Sequence, residues 1–359
     1  MKGDDGIMNR EASRRLFLTR AALGAGLLAL PPDLAFASGL SRSPQSTSTK
    51  TQVSVGLTTS IAGLGDQGFN DLAALGVHNA VRTLGVKGKV VESHAETDYV
   101  PDLQGFASDG YSLTYAVGFL MQDALHQVAA QYKHSKFGII DAVVPLPNVV
   151  SNTFREEQGS YLAGAFAAMM TLQHGIPKMQ GTKILGFIGG ADVPLIHKFQ
   201  HGFQQGVAKI DPRIKVLISY AGSFTDPAKG KELALSQYNQ GADIVYQAAG
   251  PTGTGVIEAA KQLDRYVIGV DADQNNAAPH NVITSMQKHV EVAVYNTIKS
   301  VVTGTFHPGV NVFGIDNGGI GLAPFHGLDR IVPAHVKATL DDLTKQIKQG
   351  RIKVRVDQS

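Results

Sequence analysis

The sequence predicts an α/β fold of two Rossmann-like lobes, each built on a parallel sheet with helices on both faces. Three observations lead there. From residue 52 onward, short apolar runs of β type alternate with stretches of helical periodicity. The runs fall into two sets of five, more than one sheet of this kind holds comfortably. The chain, at 359 residues with 40 glycines, is long enough for two domains and rich in tight strand-to-helix turns.

The first fifty residues precede this pattern and read as an export signal with a leader. Arg10, Arg14, Arg15 and Arg20 make a positive n-region, and Ala21–Leu30 is an unbroken apolar or Gly stretch. Such a stretch rises about 15 Å as a helix, half of a bilayer core, so it is too short for a membrane anchor. Ala35-Phe36-Ala37 supplies a small-x-small cleavage site before Ser38, and Ser13-Arg14-Arg15-Leu16-Phe17-Leu18 resembles the twin-arginine signal. The expectation is a signal peptide over 1–37, a Ser/Thr-rich flexible leader over 38–50 and a folded, exported, periplasmic product.

Strand readings in the first set are Val53–Leu57, Val90–Glu92, Leu113–Val117, Phe137–Ile140 and Val149–Asn152. Ala73, Gly76, Val77, Ala80 and Leu84 recur at helical spacing after the first of them. A long Ala/Met helix, Ser160–Leu172, follows a split near residue 153. The second set is Ile184–Ile188, Ile214–Tyr220, Ile244–Gln247, Val267–Val270 and Val282–Thr284, with Val256, Ala259, Ala260 and Leu263 on one helix face. Val336, Leu340, Leu343 and Ile347 mark a last amphipathic helix, which Gly350 ends before a strand at Ile352–Val356.

Composition excludes several functions. A net charge of +2 provides no field for nucleic acid or an anionic membrane. With no cysteine, disulfides, thiolate metal sites, Cys nucleophiles and a lipid-modified N-terminal Cys are all ruled out. No G-x-S-x-G elbow, H-E-x-x-H or dinucleotide fingerprint occurs, so neither an enzyme nor a cofactor is expected. His197 and His201 share a helical spacing without a nearby Glu signature and read as surface polar residues rather than a metal site.

In sheets of this type ligands sit outside the carboxyl ends of the strands. Those exits carry Gly65-Asp66-Gln67-Gly68-Phe69-Asn70, Asp141, Gly189–Pro194 leading to Phe199, Gly222–Asp226 around Phe224, Gly250–Gly255, Asp271-Ala272-Asp273-Gln274 and Ser285–Lys288. Singly, each has an ordinary explanation as helix cap, core ring or turn. Together, aromatic faces and carboxylates without an Arg cluster suit a neutral, flat, hydroxyl-bearing solute. Gly250–Gly255 lacks the Lys-Ser/Thr of a phosphate loop.

Several segments resemble the basic membrane protein family, the purine-nucleoside-receptor-like substrate-binding components of ABC importers. They are Asp66–Asn70, Gly118-Phe119-Leu120-Met121-Gln122-Asp123-Ala124, Phe154–Gly164, Gly222–Gly230, Gly269–Gln274, Thr284–Lys288 and Gly319–Leu322. The resemblance runs from about residue 53 to 356 and implies a type I periplasmic-binding-protein fold with three crossings between lobes. It places the N-terminal lobe at 52–153 and about 287–312, the C-terminal lobe at 154–286 and about 313–330, and a C-terminal helix and strand at 331–359. It implies a nucleoside stacked between Phe69 and Phe224, with Phe199 facing the cleft and Asp271, Lys288 and the Gly250 backbone holding ribose. Asp141 would read the base edge, with Asn70 and Asp66 nearby and Asp123 one shell back. The implied partners are the permease and ATPase of the importer. Asp-Gln-Gly-Phe-Asn stands where relatives often have Asp-Lys-Ser-Phe-Asn, which bears on ligand preference more than on fold. The alternatives are a binding protein for a sugar or another flat polar solute, a periplasmic nucleoside-processing enzyme, and a ligand-sensing regulator of the same fold.

Overall fold

The computed structural model describes residues 52–356. The expected signal peptide, with its twin-arginine motif and cleavage site, and the leader over 38–50 lie outside the described residues. The first lobe opens with β1 (Ser54–Thr59), α1 (Phe69–Leu84), β2 (Lys87–Glu92), α2 (Tyr99–Ser108), β3 (Leu113–Val117), α3 (Gln122–Gln131), β4 (Phe137–Ile140) and β5 (Val149–Phe154). Then come α4 (Glu156–Thr171), β6 (Ile184–Gly189), α5 (Pro194–Ile210), β7 (Lys215–Tyr220) and α6 (Pro227–Asn239). β8 (Ile244–Ala248), α7 (Thr252–Gln262), β9 (Tyr266–Asp271) and β10 (Val282–Lys288) complete the second lobe's run. The chain ends with α8 (Val290–Val302), β11 (Gly309–Phe313), β12 (Ile320–Leu322) and α9 (Ala334–Lys348).

Two six-stranded sheets result, in the orders β11-β5-β4-β3-β1-β2 and β12-β10-β9-β8-β6-β7. Every pairing is parallel except β10 with β12, which is antiparallel. All ten strands of the two expected sets form. β11 and β12 are additions: β11 is a short edge strand whose Val310 and Val312 stay exposed, and β12 has three residues. Neither is the continuous buried apolar run that marks the central strands.

The chain passes between the sheets at Arg155, at His289 and between β11 and β12. The Arg155 amide donates to the Phe313 carbonyl at 2.8 Å and the His289 amide to the Gly319 carbonyl at 3.0 Å. The crossing segments are thus bonded to one another, and the hinge is a small backbone network rather than three separate linkers.

The strand expected at Ile352–Val356 does not form. Side chains of α5 take its backbone groups instead: Gln205 Nε2 donates to the Arg355 carbonyl at 2.7 Å, Gln205 Oε1 accepts from the Arg355 amide at 3.0 Å, and His201 Nδ1 lies 2.8 Å from the Val356 carbonyl. Apolar residues in that tail gave the pattern of a strand, but α5 rather than a sheet edge is its neighbour. His197, one turn before His201, pairs with Asp192 at 2.6 Å.

Buried residues run almost unbroken along α4, from Glu156 to Thr171, which explains its Ala, Gly and Met content. Its closest neighbour is α5, and small residues set the approach. A Cβ on Gly164 would fall 2.0 Å from the Phe203 carbonyl oxygen, and one on Gly206 would fall 2.0 Å from the Tyr161 oxygen. Because α5 carries Phe199 and α4 carries Glu156, this contact fixes one wall of the cleft. Gly206→Ala should cost about 1–3 kcal/mol through overpacking, read as a lower urea midpoint with an unchanged slope.

Candidate ligand-binding cleft

A cleft between the lobes encloses about 680 Å³ free of protein atoms, part of it open to solvent. That lies within the range of small-molecule sites. Strand exits of both sheets face it, as expected for open α/β sheets. Of the sequence-derived candidates, Asp66, Phe69, Asn70, Asp141, Phe199, Phe224, Gly250, Asp271 and Lys288 line it. Asp123 does not. It lies exposed in the first turn of α3, on the solvent side of the Phe119–Met121 turn.

The polar groups divide into those occupied by the fold and those left facing the cleft. Asp66 is occupied: its carboxylate accepts from the amides of Gly68, Asn70 and Asp71 at 2.9, 2.7 and 3.1 Å. It satisfies the free amides at the start of α1. Asn70 is tied to Ser60, donating through Nδ2 to Ser60 Oγ at 3.2 Å and accepting from the Ser60 amide at 3.4 Å. These two shape the wall, and their capacity for a ligand is largely spent.

Asp141 and Asp271 are different. Asp141 follows β4 and Asp271 ends β9, the third strand in each sheet order, and both have φ = 64°, the left-handed region. Non-glycine residues hold that conformation only where the surroundings enforce it. No described residue donates a hydrogen bond to the Asp271 carboxyl. Asp141 Oδ1 is buried without a partner among the described residues. Burial pushes Asp141 up to about 6 and Asp271 up to about 7, with the Lys288 ammonium pulling both back.

Lys288, at the end of β10, is 1% exposed. Its Nζ lies 2.6 Å from Asp141 Oδ2 and 3.0 Å from Glu156 Oε1. Three rings surround it, with centroids 5.1 Å away for Phe69, 5.0 Å for Phe154 and 5.6 Å for Phe199. Burial lowers its basicity, but Asp141, Glu156 and Asp271 outweigh that and raise its pKa above an ordinary lysine's. On the far side, Lys198 Nζ bonds Glu156 Oε2 at 3.1 Å and the Phe154 carbonyl at 3.2 Å. The ammonium therefore joins the first lobe, the crossing at residue 155 and the second lobe.

Sequence reasoning missed Glu156, Lys198, Phe154 and Phe119 in this neighbourhood. The exit of β5 into α4 was the available signal: Phe154 and Glu156 stand there as Phe69 and Asp271 stand at other exits. Phe119 meets Phe224 edge-on across the cleft, centroids 6.1 Å apart at 71°. Phe224 lies flat over Gly190, where a Cβ would come within 2.3 Å of its ring. Ile61, Leu120, Leu195, Ile196 and Pro251 complete an apolar wall. No cluster of three metal-ligating side chains exists among the described residues, and no helix there is long and apolar enough to cross a membrane.

Lys288→Met would leave Asp141 and Glu156 buried without their shared cation, a loss of about 3–5 kcal/mol. The remaining carboxyls would then bind protons more tightly in the folded than in the unfolded chain, so stability rises as pH falls toward their unfolded pKa values. Urea unfolding should show a smaller deficit for Lys288→Met at pH 5 than at pH 8; an equal deficit refutes the charge account.

Comparison with known proteins agrees with this architecture. Residues 53–358 match the family model described as Bmp, ABC transporter substrate-binding protein PnrA-like. Basic membrane protein A of Borreliella afzelii is 33% identical over 291 residues, covering 79% of this chain and 85% of that one. The ABC transporter nucleoside-binding protein BmpA of Lactococcus lactis is 33% identical over 321 residues, 83% of this chain and 89% of its own. Among solved structures, an ABC transporter solute-binding protein from Aeropyrum pernix superposes with a TM-score of 0.79 at 30% identity, covering 86% of this chain and 94% of that one. With two lobes, three crossings and a cleft walled by strand exits, the chain belongs to the Bmp family of PnrA-like ABC transporter substrate-binding proteins.

Proposed function

We propose that this substrate-binding protein works outside the cytoplasmic membrane and captures a nucleoside, purine-type by preference, for the permease and ATPase of an importer. One observation carries the reading. The ionisable groups not consumed by the fold, Asp141 and Asp271 beside Lys288, gather in one part of the cleft, while aromatic and aliphatic side chains make up the rest. A nucleoside has the same division, with a hydroxylated ring on one side and a flat base on the other.

In this reading Asp271 accepts from the ribose hydroxyls and the Gly250 backbone borders the sugar. Phe69 and Phe224 face the base, flanked by Phe199, and Asp141 with its unpartnered oxygen reaches the ligand edge. Lys288 holds the carboxylates in place as much as it donates to the ligand, since two anions and three rings already engage it. Two features favour the uncharged nucleoside over the nucleotide. Among the described residues the one cation lining the cleft is already paired, and Asp66, Asp141 and Asp271 line the same space. The Lactococcus relative, named for nucleoside binding, supports the ligand class. Relatives are named as substrate-binding proteins rather than enzymes.

Titration calorimetry with guanosine, adenosine, inosine, cytidine and ribose tests the assignment, with adenosine monophosphate as the charged control. Micromolar or tighter nucleoside binding and none of the monophosphate is expected. Asp271→Ala should weaken nucleoside binding by about 1.5–3 kcal/mol and Phe224→Ala by about 1–3 kcal/mol. A preference for a free sugar, or unchanged affinity in both variants, would remove the nucleoside assignment.

Affinity should also depend on pH. Ribose hydroxyls donate to an ionised Asp271 and so favour the charged form. With that carboxyl near 7 in the unliganded protein, binding releases a proton and strengthens from pH 5.5 to pH 8. Calorimetry in buffers of different ionisation enthalpy reads the released proton directly; proton uptake would mean that Asp271 donates instead.

A further inference from the structure

Gln274 follows β9 and is 5% exposed, yet it does not line the cleft. Both polar atoms of its side-chain amide are engaged. Oε1 accepts from the Val270 amide at 3.1 Å and from Gln247 Nε2 at 2.9 Å. Gln247 in turn accepts from the Ala249 amide at 3.1 Å, and the Gln274 backbone amide donates to Ser285 Oγ at 3.1 Å. These four bonds lie within the second lobe and cross the ends of β8, β9 and β10. The remaining one does not. Gln274 Nε2 donates to the Gln67 carbonyl of the first lobe at 3.3 Å.

That acceptor is unusual. Gln67 sits between Asp66 and Phe69, with φ = 51°, a left-handed conformation for a residue with a side chain. Its own amide is held by Asp71 at 2.9 Å. The strained carbonyl thus points out of a well-ordered turn toward the other lobe. Away from the crossings, Lys288–Asp141 and Gln274–Gln67 are the side-chain hydrogen bonds that link the lobes among the described residues. The first belongs to the buried charge cluster beside the hinge. The second closes the seam on the α1 side, where Leu72, Leu75, Ala272 and Ala277 form a groove shared by both lobes.

We propose that Gln274 is the closure latch of the cleft, a positioning residue whose Nε2–H finds its acceptor at Gln67 when the lobes meet. Val270 and Ala249, which the amide relay holds, flank cleft-lining Ala248, Gly250 and Asp271. Ligand contacts that order those segments also aim Nε2 at Gln67, so occupancy and closure favour each other. On opening, the donor loses its acceptor while the rest of the relay stays intact. The latch therefore acts on the release rate more than on folding or encounter.

The inference rests on lobe closure in this family; only its kinetic readout uses the nucleoside assignment. Gln274→Glu is the sharpest variant, because it keeps an acceptor for Val270 and Gln247 but replaces the donor with an oxygen facing the Gln67 carbonyl. Stopped-flow dissociation of guanosine should be about five- to tenfold faster than wild type at pH 8, with an unchanged association rate. At pH 5.5 a protonated carboxyl can donate again, and the ratio to wild type should fall toward one. Gln274→Met, which cannot donate at any pH, should stay fast at both. Small-angle scattering of the unliganded proteins adds a ligand-free arm: a larger radius of gyration for Gln274→Met than for wild type supports the latch even if no nucleoside binds. Equal radii with no difference in dissociation overturn it. So does a dissociation defect matched by an equal loss of unfolding free energy in the unliganded variants, which would make Gln274 merely structural.

Discussion

The buried ammonium of Lys288 is the constraint on which the cleft depends. Taking it out of water is expensive, and two carboxylates and three ring faces offset the cost. Those partners come from the first sheet, α1, the first crossing and α5, so the requirement to satisfy one charge brings distant segments to one place. Asp141 and Asp271 then have raised proton affinities from the same burial. Asp271 remains free to accept from a ligand because the lysine is fully occupied by others.

A second requirement, close approach of α4 and α5, keeps that arrangement rigid. Gly164 and Gly206 let the two backbones touch, which carries Phe199 and Lys198 toward the hinge. The bonded crossings at Arg155 and His289 leave the lobes few independent degrees of freedom. The closure proposed above would then be a rigid-body swing about a knitted hinge rather than a local rearrangement.

Much of this was legible in the residues. Buried parallel strands are continuous apolar runs, so β3 and β4 could be bounded to the residue, and strand exits pointed to Asp141, Phe224 and Asp271. What pattern could not convey was which polar atoms the fold itself consumes. Asp66 and Asp271 look alike in sequence, each in a strand-exit segment, but Asp66 caps α1 while Asp271 keeps its oxygens. Asp123 stood within a family-like motif yet faces solvent, since helical phase rather than proximity decides what reaches the cleft. The tail at Ile352–Val356 reads as a strand locally, but its neighbour is a helix. Glu156 escaped notice because its partner, Lys288, is more than a hundred residues away.

The matching sheet orders, with Asp141 and Asp271 at corresponding edges and the same φ, give the molecule an approximate twofold axis through the cleft. A symmetric host would offer a guest two equivalent poses, so a single pose requires places where the halves disagree. One such place is the end of the fifth strand of each half, Phe154 in one and Lys288 in the other. A ring and a charge occupy kindred positions there, and that mismatch makes the two ends of the space between the sheets chemically unlike.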